Sequence, residues 1–191
     1  NKTYDGNTNA PLDISNISYS GLVSGDDIGG SFTGAFDNKN IGTSKTVSIS
    51  ASYSGVDSGN YSVTNQSSTT ANITVRTLTV SGLTASNKTY DATTSATLDT
   101  SNVSYAGLVS GDSFSGSYTG TFNNANVGTS KLVTISSSYS GDDINNYSIT
   151  DQFSTGADIT KASPTISGLS AQTKYSDESY TLAGIPSISG L

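Results

Sequence analysis

Thr46-Val47-Ser48-Ile49-Ser50-Ala51-Ser52-Tyr53 alternates between small hydroxyl side chains and apolar or aromatic ones. An alternation of period two puts each set on one face of an extended strand. Val47, Ile49, Ala51 and Tyr53 then share a face that a core must cover, and Val133, Ile135, Ser137 and Tyr139 repeat the pattern further on. Phe32, Gly34 and Phe36 read in the same way, as do Tyr118, Gly120 and Phe122, Tyr61 and Val63, Tyr147 and Ile149, Ala71, Ile73 and Val75, and Leu78 and Val80. No stretch carries a helical period. Turn formers separate these runs: Val23-Ser24-Gly25-Asp26, Phe36-Asp37-Asn38-Lys39-Asn40, and Ser54 to Asn60.

The recurrence is an internal repeat. Asn1-Lys2-Thr3-Tyr4-Asp5 returns as Asn87-Lys88-Thr89-Tyr90-Asp91, Gly21 to Asp26 returns as Gly107 to Asp112, and Asn60-Tyr61-Ser62 returns as Asn146-Tyr147-Ser148. Every offset is 86 residues, and 53 of the 86 aligned positions are identical, so the two copies are expected to share one fold. A third copy begins at Thr165-Ile166-Ser167-Gly168-Leu169, the counterpart of Thr79 to Leu83. The expected units are 1–76, a first copy without its opening strand, then 77–162, and then 163–191, the start of a third. With about six to eight short strands per copy, the fold class expected is all-β: tandem immunoglobulin-like antiparallel β-sandwiches in an elongated rod. Linkers such as Val75-Arg76-Thr77 are too short for free bending.

Composition narrows the chemistry. Of 191 residues 37 are Ser and 27 are Thr, hydrophobic residues make up 32% and charged residues 12%, which suits thin β layers with a wet outer face. Pro is only 3, while Tyr is 11 and Phe 5, a balance that favours an ordered chain over a disordered one. There is no Cys and no His, which removes disulfides, thiolate nucleophiles, imidazole bases and the usual zinc ligands. A net charge of -7 argues against nucleic acid and anionic membrane as partners, since both call for a basic surface. No run is long and apolar enough to insert in a membrane, and with no charged-then-apolar leader at Asn1 an export signal is expected outside this segment.

Lys2-Thr3-Tyr4-Asp5-Gly6, Gly21-Leu22-Val23-Ser24-Gly25-Asp26, the turn Asn126 to Lys131 and the strand Asn60 to Thr64 together resemble the YDG domain, a tandem repeat of large bacterial surface and secreted adhesins of the filamentous-haemagglutinin-like kind. The second copy departs from the pattern at Ala92, in place of Gly6. Lys174-Tyr175-Ser176-Asp177 resembles the start of the related MBG repeat, with Ser176 where Gly would stand. The resemblance implies an extracellular or cell-surface protein of cell adhesion and biofilm, a stalk or fibre body, and no catalytic residue. The partners it implies are neighbouring repeats of the same chain or fibre, and host or matrix glycans and proteins.

The candidate site residues follow from the repeat. Tyr4, Asp5, Tyr90 and Asp91 are its signature and read as structural: Asp caps turn amides while Tyr packs at the end of the sandwich. No cofactor is expected. The candidates for calcium are Asp26, Asp27, Asp142 and Asp143, but Asp27 becomes Ser113 and Asp142 replaces Val56, and no Asp-x-Asp-x-Asp-Gly loop exists. Lys2, Lys45, Lys88 and Lys131 recur and read as solvated or salt-bridged heads. The expectation is therefore a non-enzymatic adhesive or structural segment. Two rivals stand beside it: a carbohydrate- or protein-binding module using the recurring tyrosines, and a fibre subunit whose tail at Thr165 to Leu169 completes the first copy of the next chain by strand donation.

Overall fold

Strands form where the alternation is longest, because a face of Val, Ile and aromatic side chains is buried only when the backbone is extended and paired. The computed structural model describes residues 1–170 and Ser187–Ser189. Its strands are β1 (Lys2–Thr3), β2 (Asn9–Ala10), β3 (Gly29–Phe36), β4 (Gly42–Ser54), β5 (Ser68–Thr74), β6 (Arg76–Ser81), β7 (Thr84–Ala85), β8 (Lys88–Thr89), β9 (Ser95–Ala96), β10 (Leu98–Asp99), β11 (Ser104–Ala106), β12 (Ser115–Phe122), β13 (Gly128–Ser140), β14 (Tyr147–Thr150), β15 (Ser154–Thr160), β16 (Thr165–Ser167) and β17 (Ser187–Ser189). Short 3-10 turns at Ser58–Asn60 and Ile144–Asn146 are the only helical residues among those described. The fold is all-β. The MBG-like motif Lys174 to Asp177 lies outside the described residues.

The chain divides into two compact units. The first holds Asn1–Ser81, Ser104–Gly116 and Tyr139–Asp151; the second holds Gly82–Val103, Ser117–Ser138 and Gln152–Leu191. In the first, a five-stranded sheet runs β1-β5-β4-β3-β2, and a smaller sheet runs β11-β6-β14. Its core gathers Tyr4, Ala10, Phe36, Val47, Ile73, Leu78 and Tyr147, with Leu108, Phe114 and Ile149 packed against it. In the second unit the order β8-β15-β13-β12-β9 repeats that of the larger sheet, over a core of Phe122, Val133, Ala157 and Ile159.

The sheets are mixed, where purely antiparallel ones were expected. β1 runs parallel to β5, with Lys2 opposite Ile73; β8 runs parallel to β15, with Lys88 opposite Ile159; and β14 runs parallel to β6, with Ile149 opposite Leu78. Each parallel pair joins segments some seventy residues apart in sequence, ample for the long crossover that parallel pairing needs. Arg76 lies inside β6, so Val75 alone separates β5 from β6.

The longest strand carries an irregularity in both copies. The β4–β5 register shifts between Gly42 and Lys45, and the β13–β15 register shifts between Gly128 and Lys131. At the shift Ser44 and Ser130 take φ of 51° and 46°, in the left-handed region. Their N–H groups donate to the Asn72 and Asp158 side chains at 2.8 and 2.7 Å, which replaces the lost ladder bonds.

Candidate functional site

The signature tyrosine marks the site. β1 delivers Tyr4 to the core of the first unit, where it is 0% exposed and its N–H donates to Thr74 O at 2.9 Å. Its hydroxyl has to find a partner there, since a buried phenol without one is costly. It donates to Asp112, 2.8 Å from Oδ2 and 3.0 Å from Oδ1, and lies 3.4 Å from Asp143 Oδ1. Asp112 is 108 residues further along the chain and belongs to the second sequence repeat. The first repeat's signature residue is thus fastened to residues of the second.

The surroundings complete the fastening. Tyr147 donates to Asp112 Oδ2 at 2.6 Å, accepts the Val109 N–H at 2.9 Å, and meets the Tyr4 ring edge-on at 5.6 Å between centroids. Lys39 reaches in from the turn after β3, its Nζ 3.0 Å from Asp112 and 2.7 Å from Asp143. Asn146 is 2% exposed; its side chain accepts the Ile41 N–H at 3.1 Å and donates to Asn40 Oδ1 at 3.2 Å. Arg76 Nε donates to Gly107 O at 2.6 Å. Among the described residues no buried side-chain polar atom lacks a partner. Such a network is stable because every member is satisfied.

The ionisation states follow from this geometry. Burial, with Asp112 beside it, raises Tyr4 above the ordinary phenol range. Burial also pushes Tyr147 up to about 12, with the Asp112 carboxylate adding to the effect. Lys39 is raised by Asp143 and then Asp112, and in return Lys39 and the Ser113 N–H lower Asp143. At neutral pH the cluster therefore sets an ionised Asp143 against the Lys39 ammonium, with two neutral phenols beside them. The Lys39 ammonium and the two phenols all donate to the Asp112 and Asp143 carboxyl groups, so these contacts hold the turn after β3, Tyr4 and Tyr147 to one point.

The other candidates fall in different places. Asp5 accepts from Lys2 Nζ at 2.6 Å and from the Asn7 N–H at 3.2 Å; Asp91 accepts from Lys88 at 2.8 Å and from the Thr93 N–H at 2.9 Å. Both cap turns, and Lys88 holds Asp91 down to about 2. Tyr90 is 41% exposed, unlike Tyr4. Of the calcium candidates, Asp26 accepts from Tyr61 at 2.6 Å, the Asp27 N–H donates to Asp57, Asp142 is exposed, and Asp143 is committed to Lys39. Among the described residues no three acidic side chains form a group that could hold a metal. The Lys39 ammonium occupies the position between Asp112 and Asp143 that a cation would need.

Lys39 and Asn146 were not candidates in the sequence, and Tyr147 was one only as a recurring tyrosine of the binding-module alternative. Asp112 and Tyr147 recur from Asp26 and Tyr61, and Asn146 from Asn60, whereas Lys39 becomes Ala125 in an otherwise similar turn. That single unrepeated charge was the available signal, and alone it names no partner. The recurring lysines lie flat on the sheet: the side chains of Lys2 and Lys45 are 8% and 9% exposed, and Lys2 sits 5.6 Å from the Phe36 ring centroid.

The YDG domain family matches residues 1–71 and 74–156, and the chain belongs to that family. No curated protein and no solved structure matches it.

Proposed function

We propose that this chain is a non-enzymatic structural segment of a bacterial extracellular adhesin or fibre, serving as stalk or fibre body. The observation that carries the reading is the Tyr4–Asp112 fastening, in which the residue that defines one YDG repeat is used to hold residues of the next. In the first repeat the signature side chain, Tyr4, is buried and not presented to a ligand, whereas Tyr90 of the second is 41% exposed. The immunoglobulin-like sandwich and the rod arrangement belong to the same proposal, as do a surface location and neighbouring repeats as the main partners. The strand order of the larger sheet, repeated in both units, and the hydroxyl-rich composition support it.

The test is a replacement in the producing bacterium. Deleting the protein should abolish attachment or fibre formation at the cell surface. Replacing this segment with an unrelated stalk of equal length should restore it. Failure of that replacement, with surface display intact, would favour a binding module in its own right.

A further inference from the structure

Lys45 and Lys131 are the same residue in the two repeats, and each is aimed at an asparagine side chain. Lys45, in β4, donates to Asn38 Oδ1 at 2.8 Å, and Lys131, in β13, donates to Asn124 Oδ1 at 2.7 Å. Each of these carboxamide oxygens also accepts a main-chain N–H, from Asn40 and from Asn126, both at 3.0 Å. The lysine stem runs along the register shift to reach the turn, over a glycine that leaves room for it: a Cβ on Gly42 would come within 3.1 Å of Lys45 Cγ and Cδ. With its side chain only 9% exposed, Lys45 delivers its head to the turn and not to solvent.

What stands beside that pair differs between the repeats. Asp37 precedes Asn38, and its Oδ1 is 2.9 Å from Lys45 Nζ. The corresponding residue in the second repeat is Asn123, and among the described residues no carboxylate pairs with Lys131. The backbone frame is shared: the Asp37 N–H donates to Thr46 O at 3.2 Å, and the Asn123 N–H to Leu132 O at 3.0 Å. The first repeat thus holds an amine, a carboxamide with an N–H on its oxygen, and a carboxyl group one hydrogen bond from the amine. The second lacks only the carboxyl group. Lys2 also meets an asparagine and an aspartate, but it lies nearer the Asn7 main-chain carbonyl, at 2.7 Å, than the Asn7 side chain, at 3.0 Å.

We infer that Lys45 and Asn38 join in an intramolecular amide cross-link, with Asp37 carrying the proton. Asp37 takes a proton from the Lys45 ammonium, and the freed amine attacks Asn38 Cγ, a carbon one bond beyond the oxygen it already touches. The Asn40 N–H supports the negative charge that forms on Oδ1. Asp37 returns its proton to Nδ2, the Cγ–Nδ2 bond breaks and ammonia leaves. The new Nζ–Cγ amide keeps one hydrogen of the original ammonium, and the remaining proton goes to solvent with the charge. The bond would tie the turn after β3 to β4. From that turn Lys39 reaches Asp112 and Asp143, and Asn40 and the Ile41 N–H hold Asn146. Asp37 and Lys39 are both exchanged in the second repeat, for Asn123 and Ala125, so the carboxyl group occurs where the turn carries that contact. The inference rests on the two lysine sites and does not depend on the stalk reading.

The experiment is the intact mass of the full chain, measured after denaturation. The expected value is about 17 Da below the sequence mass, one ammonia lost, and digestion should release a branched peptide that joins Lys45 to Asn38. Asp37→Asn, which copies the second repeat, and Lys45→Arg should each restore the full mass. Asn123→Asp gives Lys131 the missing carboxyl group and should bring the loss to about 34 Da, a gain that does not depend on how well Asp37→Asn folds. The full sequence mass in the unaltered chain would overturn the proposal. So would a loss that persists in Lys45→Arg, the mark of an asparagine succinimide, or a branch that maps to Lys2. A loss of about 18 Da mapping to Lys45 and Asp37 would mean direct condensation with the acid and would overturn it too. An Asn123→Asp chain that folds and shows no second loss would overturn the role assigned to Asp37.

Discussion

Tyr4 and Tyr90 are the same residue in the same motif, and what faces each of them decides its role. Tyr4 is buried against Asp112 and Tyr147, while Tyr90 is 41% exposed. Tyr4→Phe keeps the ring and removes only the hydroxyl bond to a carboxylate, so it should lower stability by about 1.5 kcal/mol, at the low end for a bond to a charged group because Asp112 keeps Lys39 and Tyr147. Tyr90→Phe should stay within about 0.5 kcal/mol, the usual range for exposed substitutions. Urea titrations of the two full-length variants, read on amides of the first unit, decide this; equal losses would remove the fastening role of Tyr4. Lys39→Met is the harsher change, leaving Asp112 and Asp143 at 3% and 11% side-chain exposure without their cation. A fully buried pair broken this way costs about 3–5 kcal/mol, but the Lys39 side chain is 36% exposed and the pair screened in part, so a loss of about 2 kcal/mol is expected. The same urea titration should find part of that loss recovered on mild acidification, because protonating one carboxylate relieves the pair.

Turns show most directly how a single exchange between repeats alters an element. The turn after β1 places Gly6 at φ 80°, and the turn after β8 places Ala92 at φ 62°. A side chain in the left-handed region costs about 1–2 kcal/mol, so Ala92→Gly should stabilise the second unit by about 1 kcal/mol after the entropy that glycine loses on folding. Gly6→Ala should do the reverse and more, since a Cβ there would come within 2.7 Å of Val109 Cγ1. Calorimetry of the two variants should show transitions moving in opposite directions. The long strands β3, β4, β12 and β13 were legible because one face alternates for eight or more residues, and the turn at Val23 to Asp26 because its residues form the Asp26 N–H to Val23 O bond they suggest, at 3.2 Å. The two-residue strands β1 and β8 were not, since their pairing depends on partners some seventy residues away. Tyr61 and Val63 alternate like Tyr147 and Ile149, yet only the latter lie in a strand, because a strand also needs a neighbour to pair with. Asp112 was invisible as the partner of Tyr4 for a similar reason: periodicity gives the face of a residue, not what lies opposite it.

At the scale of the whole molecule, the ionisable groups set a pH range for folding that differs between the units. In the first unit, Tyr147 titrates near about 12 when folded and near 10 when unfolded, and Tyr4 and Lys39 are shifted in the same upward direction. The neutral phenol and the ammonium are the forms the fold prefers, so their contribution is complete below about pH 10 and is lost as the pH rises toward 12, where the unfolded chain releases protons that the folded chain retains. Asp143 works in the opposite sense. Its pKa is lowered in the fold, so its contribution is present above about pH 4 and is lost as the pH falls through the folded value. Asp91 gives the second unit the same acid limit, between about pH 4 and its folded value of about 2. Amide signals from both units, followed through urea titrations from about pH 3 to 11.5, should therefore show both units weakening in acid. Between about pH 10 and 11.5 the first unit should weaken by more than the second, and Tyr147→Phe should flatten that alkaline slope. An unchanged slope in the variant would mean that the alkaline loss comes from the general rise of negative charge on a chain that already carries a net -7, and not from the tyrosines held at Asp112.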